Sequence, residues 1–343
     1  MTSSRHRGGL APVLAIAAAS LFPGAPALAA PASSRAAVGA HPKDSKVAWV
    51  WQDGRGLFAT SDGGETWTAL ESPRLVYKIV FSPAGDVVWM ATDEGVLRTA
   101  DRGKTWGKAA IGRAGKHALD LAVVGEPLRV FAVSEDGVYK STDGGKVFTN
   151  AGVPGQAFHL YRLRVSPKTP RQVVAASPTT LFRSDDQGES WARQPAAGEV
   201  DFSALAWGVG EPPAILLGMK EGLYGSTDGG VTWKLVSSDI PFIRAVWAPN
   251  PSNGKDILVA SQPWAHARPD EVPSAKVLAK GLFRTVDAGW KWSQNLSPDG
   301  GAIVDLAITP GPPETLWIVT DLRGVFRSQT GGQSWKAVTP PAP

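Results

Sequence analysis

The chain has 343 residues, 43% of them hydrophobic, with 38 glycines, 28 prolines, 14 tryptophans and no cysteine. The lack of cysteine excludes disulfide bonds and a lipid-anchored cysteine. The formal net charge is +4, and no run of Lys and Arg marks a nucleic-acid or membrane surface. Frequent turn formers with many large aromatic anchors favour an all-β protein.

Residues 1–29 indicate an export signal. Arg5, His6 and Arg7 precede the short apolar run LAPVLAIAAASLF, and small residues lead to a predicted cleavage after Ala29. Cleavage leaves 33 basic and 31 acidic residues, a net charge of +2. The run is too short to cross a bilayer, and no later segment approaches twenty apolar residues. We therefore expect a soluble, periplasmic or extracellular monomer without a transmembrane segment.

The remaining chain repeats one motif seven times. The copies are GLFATSDGGETW (56–67), GVLRTADRGKTW (95–106), GVYKSTDGGKVF (137–148), TLFRSDDQGESW (180–191), GLYGSTDGGVTW (222–233), GLFRTVDAGWKW (281–292) and GVFRSQTGGQSW (324–335). Their final aromatics recur every 39 to 43 residues, except for a step of 59 that marks an insertion in the sixth repeat. A fixed period of this length is typical of a propeller or another repeat architecture.

Each repeat also contains two apolar segments ahead of the motif, such as YKIVFSP and VVWMAT in the second. With the two strands of the motif they make four antiparallel strands per repeat, which is one propeller blade. We predict an all-β, seven-bladed β-propeller of four-stranded antiparallel blades over residues 30–343. The predicted blades are 34–70, 74–110, 116–152, 158–195, 200–237, 241–296 and 301–339.

The motif resembles the Asp-box, or bacterial neuraminidase (BNR), repeat, Ser/Thr-x-Asp-x-Gly-x-Thr/Ser-Trp. Over nearly its whole mature length the chain is similar to the Asp-box propeller superfamily. That group includes sialidases, xyloglucanase-type glycoside hydrolases, sortilin-type receptors and photosystem II assembly factors of the Ycf48/HCF136 type. The resemblance implies a fold but no single function, since one fold hosts many activities.

The motif aspartates are predicted to be structural. A carboxylate in each tight turn can accept hydrogen bonds from backbone N–H groups of that turn. A catalytic group is needed once, whereas this group recurs in every blade but the last, where Thr330 replaces it. The six structural Asp-box residues are Asp62, Asp101, Asp143, Asp186, Asp228 and Asp287.

The innermost strands carry one polar position per blade. Its predicted members are Ala37, Lys78, Asp120, Arg162, Ala204, Arg244 and Asp305. Neighbouring positions are apolar, so the period-two rule places this set on the face that lines the central channel. Two interpretations stay open: a self-neutralised ring of charges, or a floor in which Lys78, Arg162 and Arg244, with Arg164 nearby, bind anionic groups.

Two further candidates lie near the channel mouth, the face that carries the turns between second and third strands and the links between blades. His117, His159 and Asp201 stand three residues ahead of the polar position in consecutive blades, a weak pattern for a metal site. The sixth-repeat insertion, 261–281, offers Trp264, His266, Arg268, Asp270 and Glu271 as binding residues. The alternative is a tolerated surface insertion. No cofactor is predicted.

The function classes are an enzyme and a binding module. The resemblance to glycoside hydrolases implies paired carboxylates, and Asp120 and Asp305 are the candidates. A sialidase also needs a Tyr nucleophile, and Tyr77 is predicted to point away from the channel. We therefore favour an exported, non-catalytic binding or assembly-factor propeller that holds a protein or polysaccharide partner at the channel mouth, with no nucleic-acid partner.

Overall fold

The computed structural model describes residues 35–112, 116–125, 128–153, 160, 162–166, 169–177, 180–194, 204–208, 214–219, 221–240, 243–247, 255–261, 281–295 and 299–341. Within these ranges the chain forms 28 strands and no helix. A helix long and apolar enough to cross a membrane is accordingly not found there. The predicted export signal, residues 1–29, lies outside the described residues.

The strands group into seven blades in chain order. Blade one holds β1 Ala36–Ala40, β2 Ala48–Gln52, β3 Gly56–Thr60 and β4 Thr68–Leu70. Blade two holds β5 Val76–Phe81, β6 Val88–Thr92, β7 Gly95–Thr99 and β8 Gly107–Ala109. Blade three holds β9 Asp120–Val124, β10 Arg129–Ser134, β11 Gly137–Ser141 and β12 Thr149–Asn150. Blade four holds β13 Arg162–Val165, β14 Val173–Ala176, β15 Leu181–Ser184 and β16 Ala192–Arg193.

Blade five holds β17 Ala204–Trp207, β18 Ile215–Gly218, β19 Leu223–Ser226 and β20 Lys234–Ser237. Blade six holds β21 Ile243–Trp247, β22 Ile257–Ser261, β23 Gly281–Thr285 and β24 Ser293–Asn295. Blade seven holds β25 Ile303–Thr309, β26 Thr315–Thr320, β27 Val325–Ser328 and β28 Lys336–Ala337. In every blade the four strands pair in sequence order. The predicted all-β, seven-bladed propeller is confirmed.

The second strand of each blade shows why the sequence folds this way. All five residues of β2 are buried, because the two faces of the strand meet different neighbours. Trp49 and Trp51 pack into the core shared with blade two, whereas Ala48 and Val50 pack into the core shared with blade seven. Alternation along a strand sends successive side chains to opposite faces, so an apolar run on both faces stabilises two inter-blade cores at once.

Seven such cores lie between the blades, one for each junction. The aromatic residue that ends each motif packs into the core shared with the preceding blade. Trp67, for example, joins the core between blades seven and one, and Trp191 joins that between blades three and four. The indole N–H of Trp191 also donates to Ala151 O at 2.9 Å. The motif therefore supplies both a turn and an inter-blade anchor.

The ring closes without exchanging a strand, because blades seven and one are each built from one contiguous segment. A short segment after β28, which we call the seam strap (338–340), crosses to blade one. Val338 O accepts a hydrogen bond from Trp67 Nε1 at 2.8 Å, and Pro340 O accepts one from Arg55 Nη2 at 2.6 Å. The Val338 side chain is buried in the core of this junction.

Candidate binding site at the channel mouth

The first strands of neighbouring blades contact one another from β25 through β1, β5, β9, β13 and β17 to β21, so these strands are innermost. One residue of each strand pairs with the equivalent residue near the end of the second strand. These pairs are Ala37↔Trp51, Lys78↔Ala91, Asp120↔Val133, Arg162↔Ala176, Ala204↔Gly218, Ala245↔Ala260 and Asp305↔Val319. Six of the seven residues are those that the sequence aligned.

The exception is blade six, where Ala245 takes the position predicted for Arg244. The ladder shifts between Ile243 and Ala245 and leaves Arg244 without a paired residue. The same irregularity skips Tyr77 in blade two and Val304 in blade seven. Each of these three strands contains a one-residue bulge. Arg244, Tyr77 and Val304 are the bulged residues and are therefore structurally equivalent. The side chain of Arg244 lies outside the described residues.

Asp305 links blades seven, one and two. Its Oδ2 accepts a hydrogen bond from Val38 N at 3.0 Å, and its Oδ1 accepts one from Leu306 N at 2.9 Å. Lys78 Nζ lies 3.2 Å from Oδ1 and forms an ion pair across the small Ala37 position of blade one. The side chains of Lys78 and Asp305 are 23% and 14% exposed, so this pair faces a partly hydrated channel.

Asp120 makes the same connection between blades three and four. Its Oδ1 accepts from Leu121 N and its Oδ2 from Leu163 N, both at 3.0 Å. The cation here is Arg164, whose Nη1 lies 2.6 Å from Oδ2. Arg162, which occupies the equivalent inner position, is half-buried. The side chain of Asp120 is only 4% exposed, so this carboxylate is nearly removed from solvent.

Both aspartates therefore act as what we call inter-blade brackets. Each carboxylate accepts one N–H from its own strand, one N–H from the next innermost strand and one cation. Buried carboxylates are stabilised by such bonds. A catalytic acid or nucleophile must instead direct a lone pair or proton at its substrate. The geometry suits a structural and electrostatic role better than paired-carboxylate chemistry.

Of the three weak metal candidates, the structure describes only His117. Its Nδ1 lies 3.2 Å from the hydroxyl oxygen of Tyr77, and the two rings stack with centroids 6.0 Å apart. Burial raises the pKa of the Tyr77 hydroxyl. Tyr77 packs against the core between blades two and three. In the described part of the chain no group of three potential metal ligands comes together, while His159 and Asp201 fall outside it.

The sixth-repeat insertion also falls outside the described residues for almost its whole length, with Trp264, His266, Arg268, Asp270 and Glu271. Its two ends are fixed in the sheet, where Ser261 closes β22 and Gly281 opens β23 as a paired couple. The insertion therefore replaces the turn between the second and third strands of blade six. That turn belongs to the channel-mouth face, and a binding role for its residues stays a prediction.

The motif aspartates lie in the opposite turns, between the third and fourth strands. In blade five Asp228 Oδ1 accepts from Ser226 Oγ at 2.7 Å and from Thr232 N at 2.9 Å. The hydrogen bond from the Thr232 hydroxyl is the main cause that holds the pKa of Asp228 well below its usual range. Corresponding bonds from motif side chains and backbone lower the pKa of Asp62, Asp101, Asp143, Asp186 and Asp287.

The Ser or Thr that begins each turn is a residue whose role the sequence did not reveal. Its hydroxyl accepts a hydrogen bond from the motif glycine N–H at 2.7 to 3.0 Å in all seven blades. These side chains are buried, whereas the aspartates are not: Thr60, Thr99, Ser141, Ser184, Ser226, Thr285 and Ser328. The only sequence signal was that a hydroxyl residue recurs two positions before the aspartate.

Comparison with known proteins agrees with the fold. No protein-family profile matches the chain. A probable oligoxyloglucan-reducing end-specific xyloglucanase of Neosartorya fischeri is 28% identical over 163 residues, which cover 40% of this chain and 19% of that protein.

Among solved structures, a GH74 xyloglucanase of Xanthomonas campestris superimposes with a TM-score of 0.67 at 20% identity, covering 89% of this chain and 54% of that one. The chain thus spans about half the length of that enzyme. Ycf48 of Cyanidioschyzon merolae gives a TM-score of 0.61 at 16% identity, covering 84% and 93%. A Ycf48 structure bound to D1 peptide gives 0.59 at 16% identity, covering 84% and 91%.

Proposed function

We propose that the chain is a non-catalytic binding propeller that holds a protein partner at its channel-mouth face. The observation that carries this proposal is the set of contacts that the two channel carboxylates make. Asp120 and Asp305 each accept two backbone N–H groups and a cation, which leaves them ill suited to acid–base or nucleophilic work. The propeller then offers a rigid polar surface rather than a reaction centre.

A protein partner is supported by the similarity to Ycf48, which has been solved with a bound peptide. That protein and this chain also match along most of both lengths. Arg164, on the innermost strand of blade four, has a side chain that is 30% exposed although it pairs with Asp120. Arginine is suited to such contacts because its planar fork binds carboxylates in two-point fashion.

Partner capture with purified, tagged protein tests this function. We expect wild type to retain a partner from an extract of the source organism, and Arg162→Ala plus Arg244→Ala to lose it. Lys104→Ala plus Lys146→Ala is the matched control, because both lysines are exposed in motif turns of the opposite face. Unchanged capture by the arginine variant, with a normal thermal transition, would show that Arg162 and Arg244 do not form the binding site.

A glycoside hydrolase is the second candidate, favoured by the likeness to xyloglucanases. It requires turnover of xyloglucan, of another polysaccharide or of sialosides. Asp120→Asn and Asp305→Asn should abolish that turnover while the fold persists, if either carboxylate is catalytic. Our proposal instead expects no turnover by the wild type.

Export belongs to the same proposal. The basic start and short apolar run of residues 1–29 support export across a membrane. N-terminal sequencing of the mature protein should then begin at Ala30. A mature protein that begins at Met1 or Thr2 would contradict export by cleavage.

A further inference from the structure

A cavity of about 570 Å³ lies at the seam between blades seven and one. Its walls come from the β2–β3 turn with Arg55, the β26–β27 turn with Leu322 and Arg323, and Asp299 just ahead of β25. These turns belong to the channel-mouth face. The volume falls in the range of small-ligand sites. Arg55, Asp299, Leu322 and Arg323 are not among the binding residues predicted from the sequence.

The residues that line the cavity include two cations, Arg55 and Arg323, and one anion, Asp299. Both oxygens of Asp299 are occupied, since Oδ1 accepts from Gly301 N at 2.9 Å and Oδ2 from Thr320 Oγ1 at 2.6 Å. Asp321, which borders the β26–β27 turn, likewise accepts from Ala302 N at 2.7 Å. Two guanidinium groups, those of Arg55 and Arg323, therefore face the cavity with a single carboxylate whose hydrogen bonds are made elsewhere.

The two arginines differ in how firmly they are held. Arg55 donates to Gln52 Oε1 at 3.1 Å and to Pro340 O at 2.6 Å, so its guanidinium is fixed while other N–H donors remain. Arg323 is exposed and makes no side-chain hydrogen bond or ion pair with any described residue. Its φ of 67° is left-handed, a conformation that disfavours a residue with a Cβ.

An apolar wall completes the site. Leu322 is 64% exposed beside Arg323, and Phe326 closes the interior. The wall depends on Gly324, because a Cβ there would lie 2.4 Å from Asp299 Oδ2 and 2.4 Å from Phe326 Cε2. The lining offers an exposed aliphatic side chain and cations but no exposed aromatic face on which a sugar ring could stack.

We propose that this seam cavity binds a carboxylate of an extended peptide, with a neighbouring apolar side chain of the peptide against Leu322. The carboxylate belongs to an Asp or Glu side chain or to the peptide's own C-terminus. Arg55 supplies a pre-ordered donor and Arg323 closes over the ligand from the other blade. This inference rests on the proposed function for the identity of the partner as a protein.

Fluorescence anisotropy with labelled hexapeptide libraries tests the inference. One library carries Glu among apolar residues with an amidated end, a second carries Gln with a free C-terminus, and a third carries Gln with an amidated end. We expect at least one carboxylate library to bind about tenfold tighter than the neutral library. Which of the first two binds identifies the source of the carboxylate.

Arg323→Asn should weaken that binding by about tenfold or more, since Asn tolerates a left-handed backbone but carries no charge. Arg102→Asn is the matched control, because Arg102 is also an exposed arginine with positive φ, 62°, in a turn of the opposite face. Equal binding of the neutral library, no binding up to about 1 mM, unchanged binding by Arg323→Asn, or stronger binding of tri-galacturonate than of peptide would overturn the inference.

The two proposals fail separately. If the partner is captured by wild type and lost with Arg162→Ala plus Arg244→Ala, but Arg323→Asn has no effect on either assay, only the seam cavity is wrong. If Arg323→Asn loses the peptide while the double arginine variant captures a partner normally, the cavity stands and Arg162 and Arg244 are not the binding residues.

Discussion

At the scale of single residues, the seven turns depend on a buried hydroxyl more than on the aspartate. Ser226 Oγ accepts from Gly230 N and donates to Asp228 at 2.7 Å each, and both Ser226 and Gly230 are buried. In blade seven Ser328 keeps the glycine bond while Thr330 Oγ1 accepts from Ser334 N at 2.8 Å. The aspartate is therefore replaceable, whereas a hydroxyl partner for the buried N–H persists in every blade.

Ser226→Ala should lower the free energy of unfolding by about 1–3 kcal/mol, because it leaves the buried Gly230 N–H without a partner. Ser226→Thr should be nearly neutral, since blades one, two and six use Thr at this position. Urea denaturation measures both changes. A loss with Thr as large as that with Ala would show that packing, and not the hydroxyl, is responsible.

The lowered aspartate pKa values predict a defined acid sensitivity. Hydrogen bonds from Thr105 and Ser190 lower the pKa of Asp101 and Asp186 to about 2, from a usual 3.8. A lowered folded-state pKa means that the stabilisation is complete above about pH 4 and is lost as the pH falls through about 2.

Carboxyl ¹³C NMR titration should find the midpoints of Asp101 and Asp186 near 2. The urea concentration at the unfolding midpoint should decrease as the pH is lowered from 4 to 2. The decrease should be smaller in Asp101→Asn than in wild type, because the Asn side chain does not titrate. Ordinary midpoints near 3.8 would contradict the turn hydrogen bonds.

At the scale of strands, the inter-blade brackets join innermost strands that share no sheet. Asp120→Ala should cost about 2–4 kcal/mol, because Leu163 N–H loses its acceptor in a buried place and Arg164 loses its partner. The control is Asp239→Ala, which changes an exposed side chain. It should change the free energy of unfolding by no more than about 0.5 kcal/mol. Thermal and urea unfolding measure both. The structural role of Asp120 would be contradicted if Asp120→Asn kept wild-type stability but lost a hydrolytic activity.

The strands themselves could be predicted from the sequence, but their sideways contacts could not. Seven copies of the motif define the turns, and period-two alternation finds the inner position in six blades. The bulge that displaces Arg244 leaves no mark in the residues around it. The bonds from Asp120 to Leu163 N and from Asp305 to Val38 N depend on the distance between neighbouring blades, which no local pattern encodes. For the same reason the seam cavity, shared by turns about 270 residues apart, is invisible until the ring is closed.

At the scale of the whole molecule, the junction between blades seven and one is maintained by side chains and the seam strap. The strap contributes a buried Val338 and two hydrogen-bond acceptors to blade one. A chain ending at Ala337 should lose about 3 kcal/mol of stability, from apolar burial and unpaired donors. A chain ending at Pro341 is the control and should unfold like the full chain. Equal stability of both truncations in urea would show that the strap does not hold the seam.

Contiguous blades also bear on how such a ring can change its size. Because all four strands of each blade come from one stretch of chain, a duplication or deletion of one whole repeat leaves no orphan strand. Each new blade would meet its neighbours through the same kind of two-sided core that β2 builds on both of its faces. Unequal recombination between repeats can therefore add or remove a blade as a unit, and only the angle between neighbours must adjust.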